Sequence, residues 1–222
     1  NARPLTASAG VYAFLSRTLL EVGDFEKALQ VAQKGVALSE RWGQVDTMMV
    51  CYFNLAYALV FTNQAEFAKQ ILQIARKIAE KATPWHLWNV DAVELETNLD
   101  SDPADIVEIL REFARKQKNG LVLPEYIIAR VQLMQGHTAE ALELVERNLV
   151  NAGIVSSYRN VRLYALKALA YFQEKDYGNA LAALEKTLKL AEPENRVFSF
   201  VREGAAMERL LRLALGKSSE TE

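Results

Sequence analysis

Four pairs of small residues, each twelve positions apart across a turn, constrain the fold more than any other feature of this sequence. In the first pair, Ser16 and Ala28 flank a turn at Gly23-Asp24, and apolar residues recur at helical spacing on both sides. The other pairs are Ala56/Ala68, Ala129/Ala141 and Ala168/Ala180, across turns at Asn63-Gln64, Gly136-His137 and Lys175-Asp176. Two helices that cross closely leave no room for a large side chain between them. Each pair therefore predicts a hairpin of two helices.

The hairpins recur at nearly constant spacing. Measured at the second small position, the repeats fall at residues 28, 68, 106, 141 and 180, which gives steps of 40, 38, 35 and 39 residues. Steps of this length resemble those of tetratricopeptide-like helix pairs with slightly long helices. The third repeat is divergent, because Glu94 and Ile106 occupy its two small positions. We therefore expect its helices to pack differently.

These patterns predict an all-α fold, a right-handed superhelix of about five tetratricopeptide-like helix pairs with a C-terminal capping helix segment. After the first hairpin, the predicted helices span 45–61, 65–80, 85–99, 103–118, 125–134, 138–151, 157–173 and 177–191. Residues 192–215 form the predicted cap, which is rich in apolar residues and breaks at Gly204. We expect one solenoid domain over 1–222, cut from a larger protein, with a tag or linker at 1–6, repeats over 7–191 and a linker at 216–222.

Charge and hydropathy argue against several kinds of partner. The net charge of -2 creates no global field that would attract nucleic acid or an anionic membrane. No uncharged apolar run approaches the roughly 20 residues that a membrane-spanning helix needs. The single cysteine, Cys51, excludes an internal disulfide framework and fits a reducing compartment. We therefore expect a cytoplasmic protein without membrane contact.

No arrangement of residues predicts a catalytic or metal site. His86 and His137 stand in predicted helix-start turns without metal-ligand partners at i+3 or i+4, which favours capping or surface roles. Neither of the common glycine-rich phosphate-binding motifs is present. The basic cluster at Arg76-Lys77 favours a solvated helix face, because no aromatic interleaving accompanies it. We therefore predict no enzyme activity, no metal, no cofactor in this region and no direct nucleic-acid contact.

The first helices of successive pairs should line the concave face of such a superhelix, where a ligand would bind. Aromatic rings supply apolar area and charged groups orient a polar ligand such as a sugar or a peptide. The candidate ligand-binding residues on that face are Arg17, Phe53, Tyr57, Trp88, Asp91, Tyr126, Arg130 and Arg162. The alternative is that several of these aromatic side chains pack between repeats.

Two stretches of the sequence resemble a known family of helical domains. Residues 7–43 contain ASAGVYAFLSRTLLEVGDFEKAL and then LSERWG, an apolar helix followed by an Asp-hydrophobic-Glu turn and an Arg-Trp-Gly close. Residues 190–213, LAEPENRVFSFVREGAAMERLLRL, are the more specific stretch. Its matching residues are Ala191, Pro193, Glu194, Phe200, Glu203, Gly204, Met207, Leu210 and Leu211. Both stretches are similar to the helical sensor domain of the large ATP-dependent LuxR-type transcriptional regulators, which include the maltose-regulon activator.

The resemblance implies a role within a larger protein. In that family the helical domain lies between an upstream ATPase module, where ATP is expected, and a downstream helix-turn-helix DNA-binding domain. It receives a small-molecule inducer or a regulatory protein and passes the signal to ATP-driven self-association. The resemblance thus implies an effector-sensing and protein-interaction domain of a LuxR-type regulator. The repeats alone leave open a second function, a scaffold that docks peptides or proteins without a small-molecule effector.

Overall fold

The computed structural model describes residues 8–42, 44–97, 125–151 and 157–218. Within these ranges the chain forms helices joined by turns and no strand, so the predicted all-α class is confirmed. The chain divides into two compact units, unit 1 over Asn1–Val122 and unit 2 over Leu123–Glu222. Among the described residues, no helix is both long enough and apolar enough to span a membrane.

Unit 1 shows two helix pairs and the first helix of a third. Helix α1 (Ser8–Glu21) pairs with α2 (Phe25–Trp42), α3 (Val45–Phe61) pairs with α4 (Ala65–Ala79), and α5 (Pro84–Thr97) follows. Helix α3 packs on α1 and α2, and α5 packs on α3 and α4. Because α3 touches all four of these helices, most of its residues are buried. This explains why its sequence is apolar nearly all round.

Unit 2 repeats the arrangement and adds a different C-terminal segment. Helix α6 (Glu125–Met134) pairs with α7 (Thr138–Asn151), and α8 (Ser157–Gln173) pairs with α9 (Tyr177–Ala191). A 3₁₀ turn (Glu192–Glu194), a short helix α10 (Phe198–Val201) and a longer helix α11 (Gly204–Ser218) follow. Both α10 and α11 contact α8. Phe198, Met207 and Leu210 are fully buried in this segment, which therefore belongs to the core of unit 2.

The small residues lie where the sequence predicts them. All eight members of the four pairs are at most 2% exposed. Each pair joins two helices that contact each other, α1 with α2, α3 with α4, α6 with α7, and α8 with α9. The burial of all eight residues on contacting helices agrees with the prediction that small residues let the paired helices approach closely.

One turn geometry places all four pairs. In the turns between the paired helices, the residues with positive φ are Gly23 (79°), Asn63 (59°), Gly136 (78°) and Lys175 (61°). In the first turn, the Gly23 N–H donates to Leu20 O at 3.0 Å and the Asp24 N–H donates to Leu19 O at 2.9 Å, a common way to end a helix. The Asp24 carbonyl then accepts from the Ala28 N–H at 2.9 Å. The turn therefore sets the small residue one helical turn into the next helix.

The predicted boundaries agree with the structure over most of the described chain. From α3 to α9 the described helices begin and end within about two residues of the predicted positions. In the C-terminal segment the break falls at Gly204 as predicted, but the second helix there is fifteen residues long rather than short. The predictions for 1–6, for the helix at 103–118 and for 219–222 lie outside the described residues.

Candidate functional site

The first-helix face of unit 1, formed by α1, α3 and α5, carries a row of polar contacts. Arg17 on α1 forms an ion pair with Glu21, at 2.9 Å from Oε1. The guanidinium carbon of Arg17 also lies 5.8 Å from the centre of the Tyr57 ring on α3. The Tyr57 hydroxyl donates a hydrogen bond to Glu96 of α5. A guanidinium, an aromatic ring and a carboxylate therefore follow one another across three neighbouring helices.

The charged members of this row, Arg17 and Glu96, are more exposed than its aromatic member, Tyr57. Arg17 and Glu96 are half-buried, whereas Tyr57 is buried between helices. Phe53, one turn before Tyr57, is half-buried and packs against the apolar cluster that includes Met49. The two rings therefore also contribute to packing between repeats, and the charged ends are the part that a ligand would meet first.

A second ionic contact joins α4 to α5. Arg76 donates to Asp91 Oδ1 and to Glu94 Oε2, each at 2.6 Å. Burial, which lowers the pKa of Arg76, is outweighed by the hydrogen bonds to Glu94 and Asp91, which raise it above its ordinary value. Glu94 occupies the position that a small residue has in the other repeats. At that position, α5 therefore makes an ionic contact with α4. Arg76, predicted on a solvated face, is instead half-buried and paired.

His86 links the start of α5 to the start of α3. Its Nε2 lies 2.7 Å from Asp46 Oδ1, and its Nδ1 lies 2.7 Å from Thr83 Oγ1. The ring is buried, so of the two predicted alternatives, a capping or a surface role, the structure disfavours the surface role of His86. These contacts hold the His86 ring between the start of α5 and the start of α3.

In unit 2 the candidates Tyr126, Arg130 and Arg162 lie on α6 and α8, which contact each other. The guanidinium carbon of Arg162 lies 3.3 Å from the centre of the Tyr126 ring, a close cation–π contact. Arg162 is buried, and Tyr126 is half-buried against the apolar core. The ring and the guanidinium therefore fix each other's position.

Arg130 binds the C-terminal segment rather than standing free on its helix face. It donates to the Arg202 carbonyl oxygen at 2.8 Å, and its Nε lies 3.2 Å from Glu203 Oε2. Arg202 in turn lies 3.7 Å from Glu203 Oε1 and above the Phe198 ring, at 5.2 Å from its centre. Arg130, Arg202 and Glu203 are all buried. We call these three residues the Arg130–Glu203 cluster.

The structure thus brings the predicted site residues together in two places. Arg17 meets Tyr57 in unit 1, and Arg162 meets Tyr126 in unit 2. Asp91 is bound by Arg76 and Arg130 by the C-terminal segment. Trp88 lies on α5, but its side chain is outside the described part of the structure. For all eight residues, ligand binding stays a prediction.

Sequence reasoning missed several residues of these clusters. Glu96 lies 39 residues after Tyr57, about one repeat, so the repeat spacing could have suggested that the two meet. Glu21 could have been found as the i+4 partner of Arg17. Glu203 carried no comparable signal, because its partner Arg130 is more than seventy residues away on another helix.

No metal or nucleophile chemistry stands out in what the structure describes. Within the described ranges, no group of three or more His, Cys, Asp or Glu side chains could hold a metal ion. Cys51 is fully buried, and burial raises the pKa of its thiol despite a hydrogen bond with Ser39 that lowers it. A thiol in that setting is poorly suited to act as a nucleophile.

Comparison with known families covers nearly the whole chain. The family model of the MalT-like TPR region matches residues 2–217, which include all four small-residue pairs and the C-terminal segment. No curated protein matches the sequence. Because the match extends over far more than half of the chain, and the described residues form the expected helix pairs, the chain belongs to the family of MalT-like TPR regions.

Proposed function

We propose that this chain is the effector-sensing and protein-interaction domain of a LuxR-type transcriptional regulator. The observation that carries the proposal is the row Arg17–Tyr57–Glu96, which puts two charged groups and an aromatic ring on successive first helices. A polar ligand or a peptide of a regulatory protein could pair with the half-buried Arg17 and Glu96. Family membership supports a regulatory helical domain.

Unit 2 offers a second contact region for the same role. Tyr126 and Arg162 lie against each other, and Arg130 ties the first helix of the fourth repeat to the C-terminal segment. A ligand that competes for Arg130 would loosen that segment, which gives a physical route from binding to signal. In the proposed full-length protein, ATP binds an upstream module and DNA binds a downstream domain in the cytoplasm. A P-loop and a helix-turn-helix encoded on either side of this region would support that arrangement.

Calorimetric titration of the 222-residue chain tests the proposal directly. A panel of sugars, sugar phosphates and other polar metabolites should contain a ligand with saturable, one-to-one binding. Arg17→Met keeps the length of the side chain and removes its charge, so we expect at least tenfold weaker binding. Tyr57→Phe removes only the hydroxyl that holds Glu96 and should weaken binding to a smaller extent. Tyr177→Phe, on the exposed surface of α9, is the matched control and should bind as the unmodified chain does.

The results of this titration distinguish effector sensing from a scaffold that docks peptides or proteins without a small-molecule effector. A ligand whose affinity neither Arg17→Met nor Tyr57→Phe changes would show that the first-helix face of unit 1 is not the binding site. Absence of any metabolite binding, together with a purified protein partner that binds stoichiometrically, would favour the peptide-docking scaffold instead.

A further inference from the structure

Three arginine side chains are buried near one another in unit 2. Arg130 is 9% exposed, Arg162 is 3% exposed and Arg202 is 6% exposed. Arg162 lies over the ring of Tyr126, which precedes Arg130 by one turn of α6. Arg130 in turn donates to the carbonyl oxygen of Arg202. Arginine is rarely buried to this extent, so three guanidiniums at the junction of α6, α8 and α10 point to a site for negative charge.

One carboxylate, that of Glu203, faces two of these arginines. Its Oε2 lies 3.2 Å from Arg130 Nε, and its Oε1 lies 3.7 Å from Arg202 Nε. The second distance is longer than a hydrogen bond between a guanidinium and a carboxylate. A guanidinium presents its N–H groups as a planar fork that two oxygens of one anion can bind together. Glu203 turns one oxygen toward each arginine, so its carboxylate matches neither fork.

A buried hydroxyl lies on the same side of this segment. Ser199 is fully buried, and within the described ranges its Oγ has no hydrogen-bond partner. The Arg202 N–H donates to Phe198 O at 3.1 Å, so the chain stays helical from the start of α10 to Arg202. Spacings of three and four residues therefore put Ser199 on the side of Arg202 and Glu203. A buried hydroxyl without a partner costs free energy, which an oxygen of a bound ligand would recover.

We propose that the Arg130–Glu203 cluster binds the phosphate group of a small metabolite, which replaces the Glu203 carboxylate beside Arg130 and Arg202. The inference rests on the proposed effector-sensing role and names the chemistry of the ligand in unit 2. A phosphate group carries about 1.5 to 2 negative charges near pH 7, against one on Glu203, and has three strong acceptor oxygens. These oxygens can accept from both guanidiniums and from the Ser199 hydroxyl at once.

Displacement of Glu203 acts on the turn between α10 and α11. Glu203 directly precedes Gly204, whose φ of 62° lies in the left-handed region that glycine adopts without strain. Phe198 and Met207, on either side of this turn, are fully buried and keep both helices in the core. Phosphate binding therefore moves the turn while the two helices stay in place.

Calorimetric titration of the 222-residue chain with inorganic phosphate, at constant ionic strength, tests the site. We expect saturable, one-to-one binding. Glu203→Gln removes the carboxylate that competes with phosphate, so this variant should bind phosphate at least tenfold more tightly than the unmodified chain. A Glu203 that only held the segment in place would not produce tighter binding when substituted. Arg209→Met, at an exposed arginine of α11, is the matched control and should bind as the unmodified chain does.

Two further variants keep the test independent of the stability of Glu203→Gln. Ser199→Ala removes only a buried hydroxyl, so the chain should stay folded and bind phosphate about fivefold more weakly. Arg130→Met combined with Glu203→Gln removes both charges of the ion pair and should abolish saturable binding, while circular dichroism checks that the helices remain.

Three results would overturn the inference. They are no saturable phosphate binding by the unmodified chain, no gain in affinity in folded Glu203→Gln, and unchanged phosphate binding in both Ser199→Ala and the double variant. None of these results decides the proposed function, which the metabolite titration of Arg17→Met tests separately.

Discussion

The helix pairs and the C-terminal segment of this protein are held by different kinds of contact. In each of the four described pairs, two small residues twelve positions apart are buried where the helices meet. The C-terminal segment instead binds α6 through the Arg130–Glu203 cluster, in addition to its apolar residues. Close packing of small residues is lost when a larger side chain takes their place. A buried ion pair contributes to stability only while both charges are present. The two regions should therefore fail in different ways when substituted.

The largest effect is expected where a buried charge loses its partner. Glu203→Gln keeps the shape of the side chain but leaves the buried Arg130 without its carboxylate, which should lower the free energy of unfolding by about 3 kcal/mol. Glu208→Gln is the matched control. It breaks an exposed i,i+4 pair with Arg212 within α11 and should cost about 0.5 kcal/mol or less. Urea denaturation followed by circular dichroism measures both, and equal losses would show that the Arg130–Glu203 cluster does not hold the segment.

A smaller loss is expected in the helix pairs when a small position is enlarged. Ala180→Leu adds three carbons at a fully buried position of α9, in the same apolar cluster as the fully buried Ala168 of α8. Overpacking of a dense core costs about 2 kcal/mol, and the expected result is a comparable drop in unfolding free energy. Ala182→Leu adds the same atoms at an exposed position of the same helix and should change stability by less than about 0.5 kcal/mol. If Ala180→Leu were as well tolerated as Ala182→Leu, the small pairs would not be what sets the helix separation.

The difference between the two regions also explains what could be predicted from the sequence. A small pair and its turn lie within twelve residues, and hydrophobic periodicity, the left-handed residue and the small positions all appear in one short window. Helix boundaries in the second, fourth and fifth repeats followed from those signals. The fold was thus predictable because the signals that form each of these helix hairpins lie within one short stretch of sequence.

The candidate site was less predictable because its contacts join distant helices. The position of Tyr57 next to the small residue Ala56 correctly predicted that it lies on a first helix. It predicted neither the burial of Tyr57 nor its hydrogen bond to Glu96. Periodicity defines which side of a helix a residue occupies, and it does not say which neighbour fills the space beside it. Arg130 shows this most clearly, since its partners Arg202 and Glu203 belong to a segment outside the repeat pattern.

The smallest effect is expected from substitutions at the left-handed residue of the turns between paired helices. Gly136 and Lys175 occupy equivalent left-handed positions, at φ values of 78° and 61°, although a side chain with a Cβ is strained there. Lys175→Gly should therefore raise the free energy of unfolding by about 1 kcal/mol, and Gly136→Ala should lower it by about the same amount. A Cβ at Gly136 would meet no atom within 4 Å, so any loss there reflects backbone conformation and not a steric clash.

Gly178→Ala supplies the control for these turn substitutions. It lies in the first turn of α9, three residues after Lys175, with ordinary helical φ and room for a Cβ at 3.7 Å from its nearest neighbour. Alanine favours the helix there, so stability should rise by a few tenths of a kcal/mol, opposite in sign to Gly136→Ala. Thermal denaturation of the three variants tests the pattern. If Lys175→Gly were neutral, the shared left-handed turn would not limit stability in the fifth repeat, and close packing of Ala168 against Ala180 would suffice to close that pair.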